Sequence, residues 1–185
     1  PWKATAVCHK ANLTAFKTLG VPLWHQETFQ LLHTHDHLQV VDVVRDPRSI
    51  ISSWRITPGM NVSATLPSGA EGLLVICQKY ARGLTVSHER LHRVVFEDLI
   101  RRPEAEAKRI YGLLGLKFGS VQRAWLNHTF NAPNCHVVGP YTDCRTDSEK
   151  HIEYWRHTLP PEEQAAFTAD SQCQKVAEVY GWPKA

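Results

Sequence analysis

One stretch of the chain constrains its fold more than any other. Residues 39–44 form a nearly continuous apolar run rich in valine, which passes directly into Arg45, Asp46 and Pro47. β-branched residues on both faces are typical of a parallel strand buried in a sheet. Aspartate is a favourable helix N-cap, and proline at the first helical position loses no hydrogen bond. We therefore predict a buried strand that ends at Arg45 and a helix that begins immediately after it.

The rest of the chain alternates strand-like and helix-like segments in the same way. This order is typical of a single α/β domain with a central parallel sheet flanked by helices. A chain of 185 residues with 43% apolar residues is large enough to bury a core for such a domain. We predict strands at 4–8, 39–44 and 93–96, helices at 24–33, from Pro47, at 68–84, 103–115 and 160–181, and an irregular region at 117–147.

The charge balance bears on the partners of the protein. Lysine and arginine (21) exceed aspartate and glutamate (18) by only 3, which is too small an excess to predict nucleic-acid binding. It suits instead an anionic ligand held by a few arginines. No stretch approaches the roughly 18 consecutive apolar residues of a membrane span, so we expect membrane attachment only through a segment that is not present in this chain.

Cysteines and glycosylation signals bear on the compartment. Acceptor triplets begin at Asn12, Asn61 and Asn127. The five cysteines form no C-x-x-C pair, which disfavours a zinc ribbon or a redox motif. Cys135 and Cys144 are close enough in sequence to close a loop by a disulfide in an oxidising lumen, but the odd number leaves at least one thiol and the pairing stays open. Together these features favour the secretory pathway.

Arg45 is the first candidate for ligand binding. It follows a predicted buried strand at the edge where open parallel sheets bind their ligands, and the next helix directs its N-terminus to the same place. A guanidinium group can hold a phosphate through two parallel hydrogen bonds, and Ser53 on that helix offers a hydroxyl group. The alternative is that Arg45 only pairs with Asp42 or Asp46 at the start of the helix.

The same residues resemble a known family. An arginine that closes a strand, followed by Asp-Pro-Arg and by a serine eight positions after the first arginine, is similar to the 3'-phosphate-binding segment of sulfotransferases that use 3'-phosphoadenosine 5'-phosphosulfate (PAPS). The resemblance implies that Arg45 and Ser53 hold the 3'-phosphate of PAPS.

Further segments resemble the family in the same order along the chain. Residues 92–99, then Pro103 and residues 113–116, resemble its "RYEDL" strand, a proline-started helix and an "FLGL" ending. Residues 125–129 (WLNHT) are similar to a segment of the branch that sulfates the 6-hydroxyl groups of galactose, N-acetylgalactosamine or N-acetylglucosamine. Residues 141–145, 155–159 and 180–181 resemble the C-terminal part of that branch. Arg145 is a candidate second phosphate contact there, with a surface arginine in a turn as the alternative.

The resemblance implies a fold and an activity. The fold would be a P-loop-like three-layer α/β domain, and the activity would be transfer of a sulfuryl group from PAPS to a sugar hydroxyl, 6-O, of a glycan or glycosaminoglycan in the Golgi lumen. The reaction would proceed by in-line displacement without a metal, with a general base that the sequence does not identify.

One part of the family pattern is not found. The Gly-Ser loop that binds the 5'-phosphosulfate precedes the other motifs in the family, and we find neither it nor a G-x-x-x-x-G-K-S/T loop. We therefore expect an N-terminally incomplete domain: a truncated enzyme or a degenerate relative. The alternatives are a non-catalytic protein of this fold that binds an anion or glycan without turnover, and, disfavoured by the missing loop, a P-loop nucleotide kinase.

Histidines and tryptophans form two further groups of candidates. His33, His35 and His37 alternate within five residues, a pattern compatible with metal binding, but such histidines in a turn before a strand more often face solvent, and we predict no metal site. Tryptophans could stack on a sugar or on adenine, but at helical or strand spacing they are usually buried. We predict that Trp54, Trp125 and Trp155 lie in the core.

Overall fold

The structure, a computed structural model, describes residues 13–17, 26–56, 67–130 and 148–183. The helices and strands of these ranges follow one another as the alternating sequence pattern predicts. They are, in chain order, α1 (Gln26–Thr34), β1 (Val40–Val44), α2 (Pro47–Ile56), α3 (Gly69–Gly83), β2 (Leu91–Val95), α4 (Phe96–Arg101), α5 (Pro103–Leu113), α6 (Ser120–Phe130), a 3-10 turn (Glu149–His151), α7 (Trp155–Thr158), α8 (Pro161–Ala169) and α9 (Ser171–Tyr180).

The two described strands lie side by side in parallel, with a register that runs from Val40 opposite Leu91 to Val44 opposite Val95. The predicted α/β class with a parallel sheet is thus confirmed. The expectation that β1 is buried on both faces is wrong. Val44 is 1% exposed, whereas Val41 and Val43 are 36% and 51% exposed, because the described core packs against only one face of this strand.

The core joins the middle of the chain to its C-terminal helices. Side chains from β1, α2 and α3 pack against side chains from α7, α8, α9 and the residues that follow α9, so burying apolar surface holds these distant segments together. The fully packed members are Val44, Ile51, Leu73, Ile76, Cys77, Trp155, Leu159, Phe167, Cys173, Val176, Ala177 and Trp182.

A disulfide bond crosses this core. It joins Cys77 of α3 to Cys173 of α9, two residues that are 96 positions apart and both fully buried. The sequence did not predict this pair. Cys135 and Cys144 lie outside the described residues, so their bond stays a prediction.

Local residues account for the ends of several helices. The Arg48 backbone N–H donates to Oδ1 of Asp46 at 2.9 Å, so Asp46 caps α2 and Pro47 begins it. Gly115 follows α5 with a φ of 67°, the left-handed conformation that glycine adopts without strain. Ser68 stands at the N-cap of α3, but its side chain makes no capping hydrogen bond. The start of α3 depends instead on Gly72, where a Cβ atom would lie 2.1 Å from the carbonyl oxygen of Pro67.

Three predicted elements differ in the structure. Phe96 begins α4 and does not end a strand, and residues 160–181 form two helices. The break occurs at Asp170, whose Oδ1 accepts the backbone N–H groups of Gln172 and Cys173, a capping contact that starts a new helix. The region 117–147 contains α6, whose beginning is marked by the Gln122 side chain accepting the Gly119 N–H at 2.9 Å. Within the described ranges, none of the helices has both the length and the apolar character needed to cross a membrane.

The tryptophans divide into three environments. Trp155 is 1% exposed, and the prediction that it lies in the core is confirmed. Trp54 is partly buried against the core. Trp125 is 56% exposed on α6, so the core prediction is wrong for it, because α6 contributes Leu126 to the interior and directs Trp125 outwards.

Candidate functional site

A small cleft opens where β1 ends. One wall is a face of α2 together with the residue that follows β1, and the other wall comes from residues 151–155, about a hundred positions further along the chain. Arg45 and Ser53, the two predicted binding residues, therefore line the same cleft. Arg145, the third, lies outside the described residues. The lining residues are Arg45, Ser49, Ser52, Ser53, His151, Tyr154 and Trp155.

Arg45 is placed by contacts on its backbone and on its side chain. Its N–H donates to the Tyr80 hydroxyl oxygen at 3.3 Å, and burial raises the pKa of that hydroxyl, so it stays protonated. The guanidinium carbon lies 4.7 Å from the centre of the Phe96 ring, a cation–π contact that favours one orientation of the side chain. Phe96 thereby acquires a role at the cleft that its place in the sequence did not reveal.

The carboxylates considered as partners of Arg45 have other arginine partners. Asp46 binds the Arg48 guanidinium, with Nη2 at 2.7 Å from Oδ2. Asp42 lies 3.6 Å from Nε of Arg93 on the neighbouring strand, although burial, the largest influence, raises the pKa of Asp42. The alternative that Arg45 serves only to neutralise these two carboxylates is therefore not supported.

Three serines of α2 face the cleft because residues spaced by three and four positions share one side of a helix. The Ser49 hydroxyl donates to the Ile152 carbonyl oxygen at 2.9 Å. The hydroxyl oxygens of Ser52 and Thr158 lie 2.6 Å apart and share a hydrogen bond. Ser49 and Ser52 thus connect α2 to the opposite wall of the cleft. Ser53 lies beside them on the same face of the helix.

Arg48 holds the N-terminal end of α2 in place. It is 0% exposed, and its Nε and Nη2 atoms bind both carboxylate oxygens of Asp46. Nη2 also donates to the Pro183 carbonyl oxygen at 2.6 Å. The guanidinium carbon lies 3.8 Å from the Trp155 ring centre and 4.1 Å from that of Phe167. Arg48 therefore positions Trp155, a cleft residue, and connects the start of α2 to the C-terminal helices.

Glu97 completes this network at the end of β2. It is 2% exposed, and its two carboxylate oxygens accept the Asp46 N–H at 3.0 Å and the Trp182 indole N–H at 2.9 Å. Burial raises the pKa of Glu97, with the charge of Asp46 adding to the effect, and the two hydrogen bonds oppose it only in part. The carboxyl ends of both strands are thereby tied to the C-terminal segment.

The raised pKa gives a prediction for stability. A carboxyl group whose pKa is higher in the folded than in the unfolded chain contributes most to stability below its unfolded pKa, and it loses that contribution as the pH rises through the folded value. We expect the unfolding free energy of the unmodified chain, relative to Glu97→Gln, to fall as the pH rises from about 4, near the pKa of an unfolded glutamate, towards neutral pH. Urea titrations of both proteins across this range measure it, and a difference that rises with pH would contradict the raised pKa.

The sequence missed several residues of the site. His151 and Tyr154 carry no local signal, since only the packing of the C-terminal helices brings them to Arg45. Phe96 and Glu97 lie within residues 92–99. The motif that this segment resembles does not indicate their contacts with Arg45 and Asp46. Among the residues that the structure describes, no group of three or more histidine, cysteine, aspartate or glutamate side chains is arranged to hold a metal ion.

Comparison with known proteins adds the following findings. The profile of the Sulfotransferase family matches residues 14–120. Human carbohydrate sulfotransferase 1 is 26% identical over an alignment of 205 positions that covers 97% of this chain and 47% of the human protein. Human carbohydrate sulfotransferase 6 is 27% identical over an alignment of 150 positions that covers 67% of this chain and 37% of that protein. The chain thus spans about half the length, or less, of these curated relatives.

A solved structure shares the fold. The sulfotransferase domain from the curacin biosynthetic pathway superposes with a TM-score of 0.64 at 13% sequence identity, over 99% of this chain and 68% of that one. At this identity the likeness concerns the fold alone, and it extends beyond residue 120, where the family profile ends, to the C-terminal helices that form the second wall of the cleft.

Proposed function

Because the chain belongs to the sulfotransferase family, we propose that it is part of an enzyme that transfers a sulfuryl group from PAPS to a sugar hydroxyl of a glycan or glycosaminoglycan. The observation that carries the proposal is the meeting of Arg45 and Ser53 in one cleft at the end of a parallel strand. The names of the curated relatives support a carbohydrate acceptor, and residues 125–129 support the 6-hydroxyl as the position sulfated.

The cleft residues would act on the nucleotide part of PAPS. Arg45 would bind the 3'-phosphate through its guanidinium group, oriented by Phe96. Ser53 lies on the face of α2 towards the cleft, and its hydroxyl group would donate a hydrogen bond to the same phosphate. Arg145 would add a second cation from the C-terminal part. PAPS, when bound, would supply the sulfuryl group for transfer to the acceptor hydroxyl, with PAP as the leaving group and release of the hydroxyl proton.

A lumenal compartment, the Golgi in this proposal, is supported by the disulfide bond between Cys77 and Cys173. Disulfides persist in oxidising compartments and are rare in the cytosol. Asn127, one of the three glycosylation acceptors, is exposed on α6. Asn12 and Asn61 lie outside the described residues.

The first test is binding of 3'-phosphoadenosine 5'-phosphate (PAP), the product of the cofactor. We expect the chain to bind PAP and Arg45→Ala to bind it roughly 10- to 150-fold more weakly, because hydrogen bonds to a charged group contribute about 1.5–3 kcal/mol. Ser53→Ala should cost less, roughly 2- to 12-fold. Isothermal titration calorimetry measures these changes.

Arg101→Ala is the matched control, since Arg101 is an exposed arginine of α4 outside the cleft, and its affinity for PAP should equal that of the unmodified chain. Equal losses in Arg45→Ala and Arg101→Ala would mean that only net charge matters, which would rule out the assigned site. The alternative of binding without turnover predicts the same PAP affinities but no transfer of labelled sulfate from PAPS to glycan by the protein that contains this chain.

A further inference from the structure

Trp155 brings a buried hydrogen-bond donor to the cleft that has no acceptor. The residue lines the cleft and is 1% exposed, and its indole N–H has no hydrogen-bond partner within the part of the chain that the structure describes. A buried donor without a partner costs about 1–3 kcal/mol, and such groups are rare in folded proteins. At a binding cleft, such an N–H is a candidate donor to a ligand.

The Trp155 ring is held by contacts that leave this N–H unused. The guanidinium carbon of Arg48 lies 3.8 Å from the ring centre, and that of Arg156 lies 4.7 Å from it. Such cation–π contacts involve the face of the ring, whereas the indole N–H lies in the ring plane and needs an acceptor at the ring edge. Arg48 is in turn bound to both carboxylate oxygens of Asp46. The ring is therefore positioned without a hydrogen bond from its nitrogen.

Trp182, the second fully packed tryptophan of the same core, does have an acceptor. It is 4% exposed, and its indole N–H donates to Oε2 of Glu97 at 2.9 Å. Trp182 is not among the residues that line the cleft, whereas Trp155 is. The fold thus supplies a carboxylate to the buried indole away from the cleft, and the indole beside the cleft is the one whose donor stays available.

The chemistry of the cleft favours an anionic acceptor for this donor. The lining residues that the structure describes carry one guanidinium group, four hydroxyl groups, an imidazole and this indole, and none of them is a carboxylate. A phosphate group offers three strong acceptor oxygens, so one that Arg45 binds still has acceptor capacity for further donors. Because the N–H of Trp155 is buried, its hydrogen bond to a charged oxygen would be strengthened by the low local dielectric.

We propose that the indole N–H of Trp155 donates a hydrogen bond to the 3'-phosphate of the nucleotide, as a further binding group beside Arg45 and Ser53. The identity of this ligand rests on the proposed function. Arg45 and Ser53 belong to one wall of the cleft and Trp155 to the other, so the phosphate would join the two walls. An indole is a donor only, and the site therefore selects an anion.

The first test observes the N–H directly. The chain has six tryptophans, and labelling them with nitrogen-15 gives each indole N–H its own signal in an NMR spectrum of the unmodified chain. We expect PAP to move the Trp155 signal and slow its exchange with solvent, and adenosine 5'-phosphate, which lacks the 3'-phosphate, to leave it in place. The Trp182 signal is the internal control, because its N–H is already bonded to Glu97.

The second test uses Trp155→Phe, which keeps an aromatic ring for Arg48 and removes the N–H. Calorimetry should show PAP binding weakened roughly 2- to 12-fold and binding of adenosine 5'-phosphate unchanged. Trp125→Phe is the matched control, since it makes the same substitution at an exposed position of α6, and its PAP affinity should equal that of the unmodified chain. Equal losses for the two nucleotides would mean that Trp155→Phe only loosens the cleft, which would reject the inference.

The NMR titration also separates this inference from the proposed function. If PAP binds and depends on Arg45 but the Trp155 signal stays in place, the indole has another acceptor, such as a buried water, and the inference fails while the proposed function stands. If PAP does not bind but inorganic phosphate moves the Trp155 signal, the proposed function fails and the anion-binding role of Trp155 stands. If neither ligand moves the signal and PAP does not bind, both are rejected.

Discussion

We expect the replacement of Cys77 and Cys173 together by alanine to lower the free energy of unfolding by about 4–5 kcal/mol. The bond closes a loop between residues that are 96 positions apart, and a cross-link over so long a segment restricts the unfolded chain strongly. It also joins α3 to α9 inside the core, where both cysteines are fully buried. The measurement is urea-induced unfolding of the unmodified chain and of Cys77→Ala/Cys173→Ala under oxidising conditions.

A reductant provides the matched control. Dithiothreitol should lower the stability of the unmodified chain to about that of the double variant. It should have a much smaller effect on the double variant, which already lacks the bond. If the reductant destabilises both proteins equally, the stabilisation comes from other cysteines, and the assignment to Cys77 and Cys173 is wrong.

Arg48→Ala is expected to destabilise the fold by about 3–5 kcal/mol, since removing one partner of a buried ion pair leaves the other charge without compensation. Asp46 is 1% exposed and would remain in the interior with only its capping contact to a backbone N–H. The substitution also removes the hydrogen bond to the Pro183 carbonyl and the stacking on Trp155 and Phe167. Chemical denaturation followed by circular dichroism measures the loss.

Arg156→Ala is the appropriate comparison. Arg156 also stacks on Trp155, at 4.7 Å, but on the surface, where it pairs with the exposed Glu153. Exposed ion pairs contribute about 1 kcal/mol or less, so this variant should be nearly as stable as the unmodified chain. Similar losses in Arg48→Ala and Arg156→Ala would mean that stacking on Trp155, and not the buried pair with Asp46, supplies the stability.

Both predictions concern the attachment of the C-terminal helices, and that attachment also builds the cleft. One wall lies within the region that matches the family profile, residues 14–120, and the other wall lies beyond it. Arg48 and the disulfide hold the two regions together at points outside the phosphate-binding contacts that we propose. We therefore expect variants that loosen this attachment to weaken PAP binding even though they leave Arg45 and Ser53 in place.

What the sequence determined by itself was local in origin. The strand before Arg45, the helix that Asp46 caps and Pro47 begins, and the left-handed Gly115 after α5 all follow from residues a few positions apart, since capping and φ preferences act within one turn. The alternation of such elements was sufficient for the α/β class. The capping residues Asp170 and Gln122 are also local signals, but the prediction did not use them. For this reason it gave one helix at 160–181 where the structure has two, and it gave none where α6 lies.

The tertiary structure decided whatever depends on residues far apart in the chain. The run of valines in β1 predicts burial of both Val43 and Val44. The described core packs against Val44 only, and Val43 stays exposed. Nothing near Arg48 in sequence indicates that it binds the Pro183 carbonyl oxygen, and nothing near Cys77 indicates that it is bonded to Cys173. The rings of His33 and His88 are in contact, and Arg45 and Tyr154 line one cleft, only because the folded chain brings their segments together. Such contacts depend on how whole elements pack, and the identity of neighbouring residues does not encode that arrangement in any short pattern.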